Sequence, residues 1–284
     1  MYPSSQGCEL LMTSQAKATM TQLINHPDDT PLHTMQPLER FSDRATDYAN
    51  HRPSYPATAI AAILAGLGNP HQLVAADIGA GTGIASRLLA EQGIQVWAIE
   101  PNAAMREAAA CHANVTFQAV AAEQTQLPTA FVDLVTCFQA FHWFDPALCL
   151  PEFHRILKPS GRLALVWNSR DRQDPFTQDY TQLVQQLSDN HPAESRMVSA
   201  QPLLTNPYFG DVSQHEFSYQ QSLDLASLIG RTQSVSYMPK DEETTRQLTR
   251  GLEELGDRWA DEQGQVQLVY TTQVFLAHSA GEAG

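Results

Sequence analysis

VAADIGAGTGIASRLLAEQGIQVWAIEPNAAM, residues 74–105, reads as a strand, a glycine loop, a helix, a second strand and then an acid. Val74, Ala75 and Ala76 give the short apolar run of a buried parallel strand, and Asp77-Ile78-Gly79-Ala80-Gly81-Thr82-Gly83 follows where that strand must turn into a helix. Glycine tolerates positive φ and leaves main-chain N–H groups open to a ligand, and a helix over residues 84–92 turns its positive end toward the same place. Gly93 stops that helix. The second strand, Gln95–Ile99, delivers Glu100 at its tip, where a carboxylate accepts hydrogen bonds from both hydroxyls of a ribose.

A dinucleotide fold shares this outline, and the glycine spacing separates the two. The pyrophosphate fingerprint G-x-G-x-x-G wants Gly or Ala at its last position; counting from Gly79 that position is Ile84, and counting from Gly81 it is Ser86. An NAD-dependent oxidoreductase therefore fails on the glycines. Asp77 at the mouth of the loop repels a pyrophosphate and attracts a cationic ligand such as a sulfonium amino acid.

Working outward, Val115-Thr-Phe-Gln suits a third strand, followed by Ala122-Glu123 and Leu127-Pro128. Phe131-Val-Asp-Leu-Val-Thr-Cys-Phe-Gln-Ala-Phe-His-Trp-Phe-Asp145 suits a fourth strand and its loop, and Leu157-Lys-Pro-Ser-Gly-Arg-Leu-Ala-Leu-Val166 leads into a fifth. Upstream, Phe41, Ala45, Tyr48, Arg52, Pro53, Tyr55 and Pro56 form an F-x3-A-x2-Y-x3-R-P-x-Y-P segment. With the glycine loop, these blocks resemble the class I S-adenosylmethionine-dependent methyltransferases, type 11 small-molecule subgroup, closely over residues 41–170 and loosely beyond.

The resemblance implies a Rossmann-like α/β fold: a seven-stranded, mostly parallel sheet whose last strand is antiparallel beside strand five, with a helical cap inserted after strand five. It implies S-adenosyl-L-methionine as methyl donor. Cofactor contacts fall on Asp77, Gly79, Ala80, Gly81, Gly83, Glu100, Pro101 and Met105. Ala122 and Glu123 match the adenine-side loop, although the apolar Val120 and Ala121 stand where the family often has Asp or Gly. Phe138 and Gln139 end strand four over the cleft, with main chain placed for the methionine ammonium group. Tyr48 and Arg52 match the position that pairs with the methionine carboxylate; the alternative for Arg52 is a helix C-terminal cation facing the dipole.

The chain has 284 residues, enough for one large domain with its own core. Residues 1–36, rich in Ser, Thr, Gln and Pro, read as a disordered extension, with Met12, Met20 and Met35 as possible alternative starts. Residues 37–284 read as a single domain: a cofactor-binding core over about 73–170, a cap over about 171–206, and C-terminal strands and helices over 207–280. Alternation of strand and helix through residue 110 argues parallel strands joined by right-handed crossovers. Helices are expected over 57–67, 146–158, 222–232 and 242–255, and strands over 162–167, 212–219 and 266–277.

Seventeen basic against thirty-one acidic side chains give a formal charge of -14, which argues against nucleic acid as a partner. The four cysteines, Cys8, Cys111, Cys137 and Cys149, show no metal-ligand spacing, and the histidines, His26, His33, His112 and His191 among them, are scattered, so no metal is expected. A reducing cytoplasm suits them. Neither a membrane span nor a secretory signal is visible, and a monomer or homodimer acting on a small molecule is expected.

Methyl transfer from a sulfonium is an in-line displacement with an excellent leaving group, so alignment and exclusion of water come first. His142, in the loop after strand four, is the candidate catalytic base; packing, or capping of the helix at Pro146, is its alternative. Trp143 and Phe144 either face a sulfonium or pack under the next helix, and for Phe144 packing is the preferred reading. Tyr55 and Asn168 are further candidates for touching substrate. The resemblance includes enzymes acting on small carboxylic acids, for which Arg52, Arg170 or Arg172 would supply a cationic pocket. The competing reading is a non-catalytic nucleoside-binding protein of the same fold.

Overall fold

Val74–Ile78 is strand β1, buried from Ala75 onward because its small and branched apolar residues are covered on both faces. The structure, a computed structural model, describes residues 45–189, 200–235 and 237–280. Phe41, the N-terminal extension with its alternative starts, Cys8, His26, His33, and residues 190–199 of the expected cap, His191 among them, lie outside the described residues.

Six strands join β1: β2 (Gln95–Ile99), β3 (Val115–Gln118), β4 (Val132–Phe138), β5 (Leu157–Arg170), β6 (Phe209–Leu223) and β7 (Val266–Ser279). Their spatial order is β3-β2-β1-β4-β5-β7-β6. Pairing is parallel from β3 through to β5, and β7 runs antiparallel between β5 and β6. The sheet is thus mostly parallel with its last strand reversed, as expected. From β1 the chain builds outward through β2 and β3, then returns to β4 on the other side. That reversal opens a crevice at the C-terminal ends of β1 and β4.

The helices are α1 (Ala45–His51), α2 (Ala57–Leu64), α3 (Ile84–Ala90), α4 (Ala103–Glu107), α5 (Pro146–Ile156), α6 (Pro175–Leu187), α7 (Gln201–Leu204), α8 (Leu225–Gln233) and α9 (Glu242–Trp259). Aspartate starts four of them: Asp145, Asp174, Asp224 and Asp241 accept from the N–H groups of Ala147, Thr177, Ser227 and Thr244. Each such cap contributes about 1 kcal/mol. Several boundaries depart from expectation: α2 ends at Leu64, α9 runs on to Trp259, β6 spans Phe209–Leu223, and α5 ends at Ile156 because Leu157 already pairs with Val132 and opens β5.

One face of the sheet packs Leu150, Phe153 and Ile156 of α5 around Trp167 and Phe275. The other packs Ile60 and Ile63 of α2 and Leu89 of α3 against Leu134 and Val166. A third cluster lies apart, where Tyr180 and Val184 of α6, Leu228 of α8, and Leu248 and Leu252 of α9 cover Leu268 and Tyr270 of β7. β6 and β7 are 15 and 14 residues long and outrun the parallel strands, so their far ends leave apolar surface that these helices close. The helical layer after β5 therefore draws α8 and α9 from the β6–β7 connection as well as α6.

Candidate functional site

The loop between β1 and α3 is a tight main-chain cradle. Gly79, Gly81 and Gly83 all have positive φ, at 69°, 57° and 73°. The N–H groups of Gly79 and Ala80 donate to the Ile99 carbonyl at 2.8 and 3.1 Å, tying the loop to β2. A Cβ on Gly79 would stand 2.6 Å from Ala140 Cβ and 2.9 Å from Phe144 Cζ. Phe144 thus packs beneath the loop and against Phe153, the packing role expected of it.

Glu100 sits at the tip of β2, 8% exposed. Its Oε2 accepts from the Gly81 N–H at 2.9 Å and its Oε1 from the Asn102 N–H at 2.8 Å. Each carboxylate oxygen offers two lone pairs, so each keeps one for a ligand hydroxyl. Burial pushes its pKa up, against the pull of those two amides and of Arg106. Pro101 follows directly, and the Met105 methyl lies 3.2 Å from where a Gly81 Cβ would be.

Asp77 is 1% exposed and accepts from Ser86 Oγ at 2.6 Å and Thr136 Oγ1 at 2.9 Å. The second bond follows from register, because Asp77 and Thr136 are partners across β1 and β4. Burial raises its carboxyl to about 6, outweighing both hydroxyl bonds.

Asp77, Gly79, Ala80, Phe138, Gln139, Tyr48 and Arg52 line one cavity. Pro53, Tyr55, Ile84 and Ala85 complete the lining. Tyr55 packs edge-on against Phe138, with ring centroids 4.6 Å apart. Gln139 has φ 53° and donates its main-chain N–H to the Val166 carbonyl and its Nε2 to the Asn168 carbonyl. A non-glycine residue in this left-handed region costs about 1 kcal/mol or more, and such residues gather at ligand sites.

Arg52, just beyond α1, lays its guanidinium over the Tyr48 ring at 4.5 Å and donates Nη2 to the Ser234 carbonyl at 3.0 Å. It therefore both lines the cavity and faces the C-terminal end of α8. Burial, then the charge of Arg231, lowers its pKa. Arg170 donates to the Tyr237 hydroxyl at 3.3 Å within the cap, whereas Arg172 is exposed.

His142 follows β4 in a 3-10 turn, Phe141–Trp143. Its Nδ1 accepts from the Trp167 indole N–H at 3.2 Å, which leaves the neutral ring's proton on Nε2. The residue is half-buried, and its Nε2 is buried and makes no hydrogen bond. Burial and then Arg52 push its pKa down to about 3. Trp143 packs against the cap cluster.

The remaining residues go elsewhere. Ala122 is 4% exposed and packs in the core cluster that holds Ile99, and Glu123 accepts from the Asp145 N–H at 3.3 Å. Neither lines the cavity. Asn168 is tied down on both sides, donating to the Ser54 carbonyl and accepting from Thr272 Oγ1 at 2.6 Å. Among the described residues no cluster of His, Cys, Asp or Glu could hold a metal ion. Sequence reasoning missed Ile84 and Ala85 as lining residues; both look like ordinary helix residues, so no local signal marked them.

A glycine cradle at the switch point of a parallel sheet, with an acid at the tip of the second strand, defines a Rossmann-like nucleoside-binding transferase fold. The family profile described as "Methyltransferase domain" matches residues 76–165. An uncharacterised methyltransferase of Mycobacterium tuberculosis is 33% identical over 199 residues, covering 69% of this chain and 76% of its own length. A methyltransferase-like protein of Schizosaccharomyces pombe is 28% identical over 243 residues, covering 84% and 94%. A structure from Anaeromyxobacter dehalogenans, assigned as a type II methyltransferase, superposes with a TM-score of 0.58 at 24% identity, covering 79% of this chain and 97% of that one. The chain belongs to the class I S-adenosylmethionine-dependent methyltransferases, type 11 family, and S-adenosylmethionine is its methyl donor.

Proposed function

We propose that the protein transfers a methyl group to a small organic acceptor, a carboxylic acid in the finer reading, inside the cavity between the glycine loop and α1. One observation carries this: Gly79 and Ala80 of the glycine loop, Asp77, Gln139 and Arg52 line a single cavity. A cavity of this kind suits a small molecule better than a nucleic acid, and a net charge of -14 points the same way. Among the described residues no helix is long and apolar enough to cross a membrane. Cys111, Cys137 and Cys149 are free thiols, which suits the cytoplasm.

The residues present suit S-adenosylmethionine. Gly79 and Gly81 leave backbone open where a side chain would collide with Phe144 or Met105. Glu100 keeps a lone pair on each oxygen for a ribose. Asp77 with the main chain around Gln139 suits an ammonium group, and Arg52 a carboxylate. When bound, the sulfonium supplies an activated methyl group and a good leaving group. The chain's own part is to orient and to exclude water.

His142 takes part as a hydrogen-bond donor. A ring held down at about 3 is a poor base near neutral pH, whereas a proton fixed on Nε2 is a ready donor to an acceptor's oxygen. The test is calorimetric titration with S-adenosylmethionine and S-adenosylhomocysteine, then a labelled-methyl screen across small acids, phenols and amines. Label moving to a small molecule is expected; label moving only to protein or nucleic acid would overturn the small-molecule reading.

A further inference from the structure

Two buried guanidinium groups form no ion pair: Arg52 lines the cavity, and Arg231 stands behind that lining, near enough for its charge to act on Arg52 and Tyr55. Arg231, in the last turn of α8, is 6% exposed. Its Nε donates to the Tyr270 hydroxyl at 3.3 Å, and its Nη1 is buried without any hydrogen bond. Arg52, which lines the cavity, likewise has a buried Nε with no partner. Among the described residues neither forms an ion pair, although the chain carries thirty-one acids. Asp77, the acid on the cavity wall, accepts from Ser86 and Thr136 and forms no ion pair with either cation.

The ordinary explanation is that both cations cap α8, and Arg52 does bond the Ser234 carbonyl. A helix C-terminus carries only about half an elementary negative charge, which leaves more than one positive charge unbalanced. Phenols do not close the gap, since a tyrosine is neutral near pH 7, and burial holds Tyr270 further from ionising. Uncompensated buried charge is costly, so it points to an anion that arrives from outside. The cofactor's carboxylate satisfies Arg52 at most. It also brings an ammonium and a sulfonium, so the loaded site becomes more positive.

We infer that Arg231 is the anchor for the acceptor, which carries a carboxylate distinct from the atom that receives the methyl group. This rests on the methyltransfer reading above. A carboxylate paired with a guanidinium is a weaker nucleophile than a free one, so a second group on the acceptor is the better nucleophile. Carboxylate is favoured over phosphate because the surroundings of Arg231 are hydroxyls, with the glycine nest given over to the cofactor.

The test uses protein loaded with S-adenosylhomocysteine, titrated with benzoate, phenylacetate and glutarate, with their amides, and with inorganic phosphate. The acids are expected to bind at least about tenfold more tightly than the amides. Arg231→Met should weaken acid binding by about 100-fold while S-adenosylhomocysteine affinity stays unchanged, and Arg231→Lys should fall between. Should Arg231→Met not fold, the acid–amide comparison and Arg231→Lys still decide. The inference is overturned if acids and amides bind alike, if phosphate alone binds, if nothing binds to the loaded protein, or if Arg231→Met keeps acid affinity. Failure to load S-adenosylhomocysteine would instead strike at the cofactor site.

Discussion

The indole Nε1 of Trp167 donates a 3.2 Å hydrogen bond to Nδ1 of His142. An indole nitrogen can only donate, so the direction of this bond is unambiguous and the imidazole proton must sit on Nε2. Trp167 is 0% exposed and wedged between Phe141 and Phe275, so the arrangement is rigid. Sequence reasoning offered His142 as a base or as packing and could not see Trp167, because that partner comes from a different strand.

If His142 is a donor, Gln should replace it better than Ala. His142→Gln keeps an N–H near the Nε2 position and is expected to retain most turnover, whereas His142→Ala should lose at least about tenfold in kcat. S-adenosylhomocysteine affinity should be unchanged in both. Nitrogen NMR of the ring should report the Nε2–H tautomer and a neutral ring well below pH 6, since the folded pKa is held down to about 3. A lowered histidine pKa gives stability that is present above about 6.5 and is lost as pH falls. Loss of activity in the Gln variant equal to that in Ala would return the base role.

Glu100 bridges two backbone amides and keeps two lone pairs. Glu100→Gln preserves shape but turns one acceptor into a donor that faces an N–H. S-adenosylhomocysteine affinity should fall by about 100-fold, the loss of one or two charge-assisted bonds. Competition supplies the specific readout: wild type should prefer adenosine to 2′-deoxyadenosine, and the variant should lose that preference. A preserved preference would move the ribose away from Glu100.

Residues 74–105 made the cofactor half legible because it is local: the loop, both strands and Glu100 lie within one βαβ unit whose spacing forces their proximity. The acceptor half is not local. Arg52, His142, Trp167 and Arg231 come from four separate segments, and contacts such as Arg52 to Ser234 span 182 positions. Periodicity reports which face of an element is buried, and Arg231 in α8 gives no hint that it lies near Arg52, just beyond α1. The alternating strand pattern announced β6 and β7 without showing that they outrun the sheet and carry α8 and α9 with them.

Gly79 tests the cradle. Its φ of 69° costs an L-residue about 1–2 kcal/mol, and an added Cβ would meet Ala140 Cβ at 2.6 Å. Ala140 cannot swing aside, so Gly79→Ala should destabilise by about 3 kcal/mol and abolish cofactor binding. Adding Ala140→Gly removes the collision but not the φ penalty. Denaturant unfolding should therefore show partial recovery of stability in the double variant; full recovery would mean that the backbone conformation carries no cost.

Asp77 sets stability against binding. Its carboxyl is raised from 3.8 to about 6, mainly by burial, so the folded protein holds this proton more tightly than the unfolded chain. The sign follows: its contribution to stability is full below about pH 4 and declines as pH rises to about 6, by roughly 3 kcal/mol as an order of magnitude. A cationic ligand reverses the balance, because it favours the ionised form. S-adenosylhomocysteine affinity should weaken as pH falls through 6, while unliganded Asp77→Asn should gain stability relative to wild type between pH 5 and pH 7.5. Asp77→Asn should also bind the cofactor at least about tenfold more weakly and lose the pH dependence. Thermal unfolding without ligand and calorimetry with it, each across this pH range, measure the two opposing trends. Parallel trends, or a pH-independent wild type, would show that Asp77 serves only to hold Ser86 and Thr136.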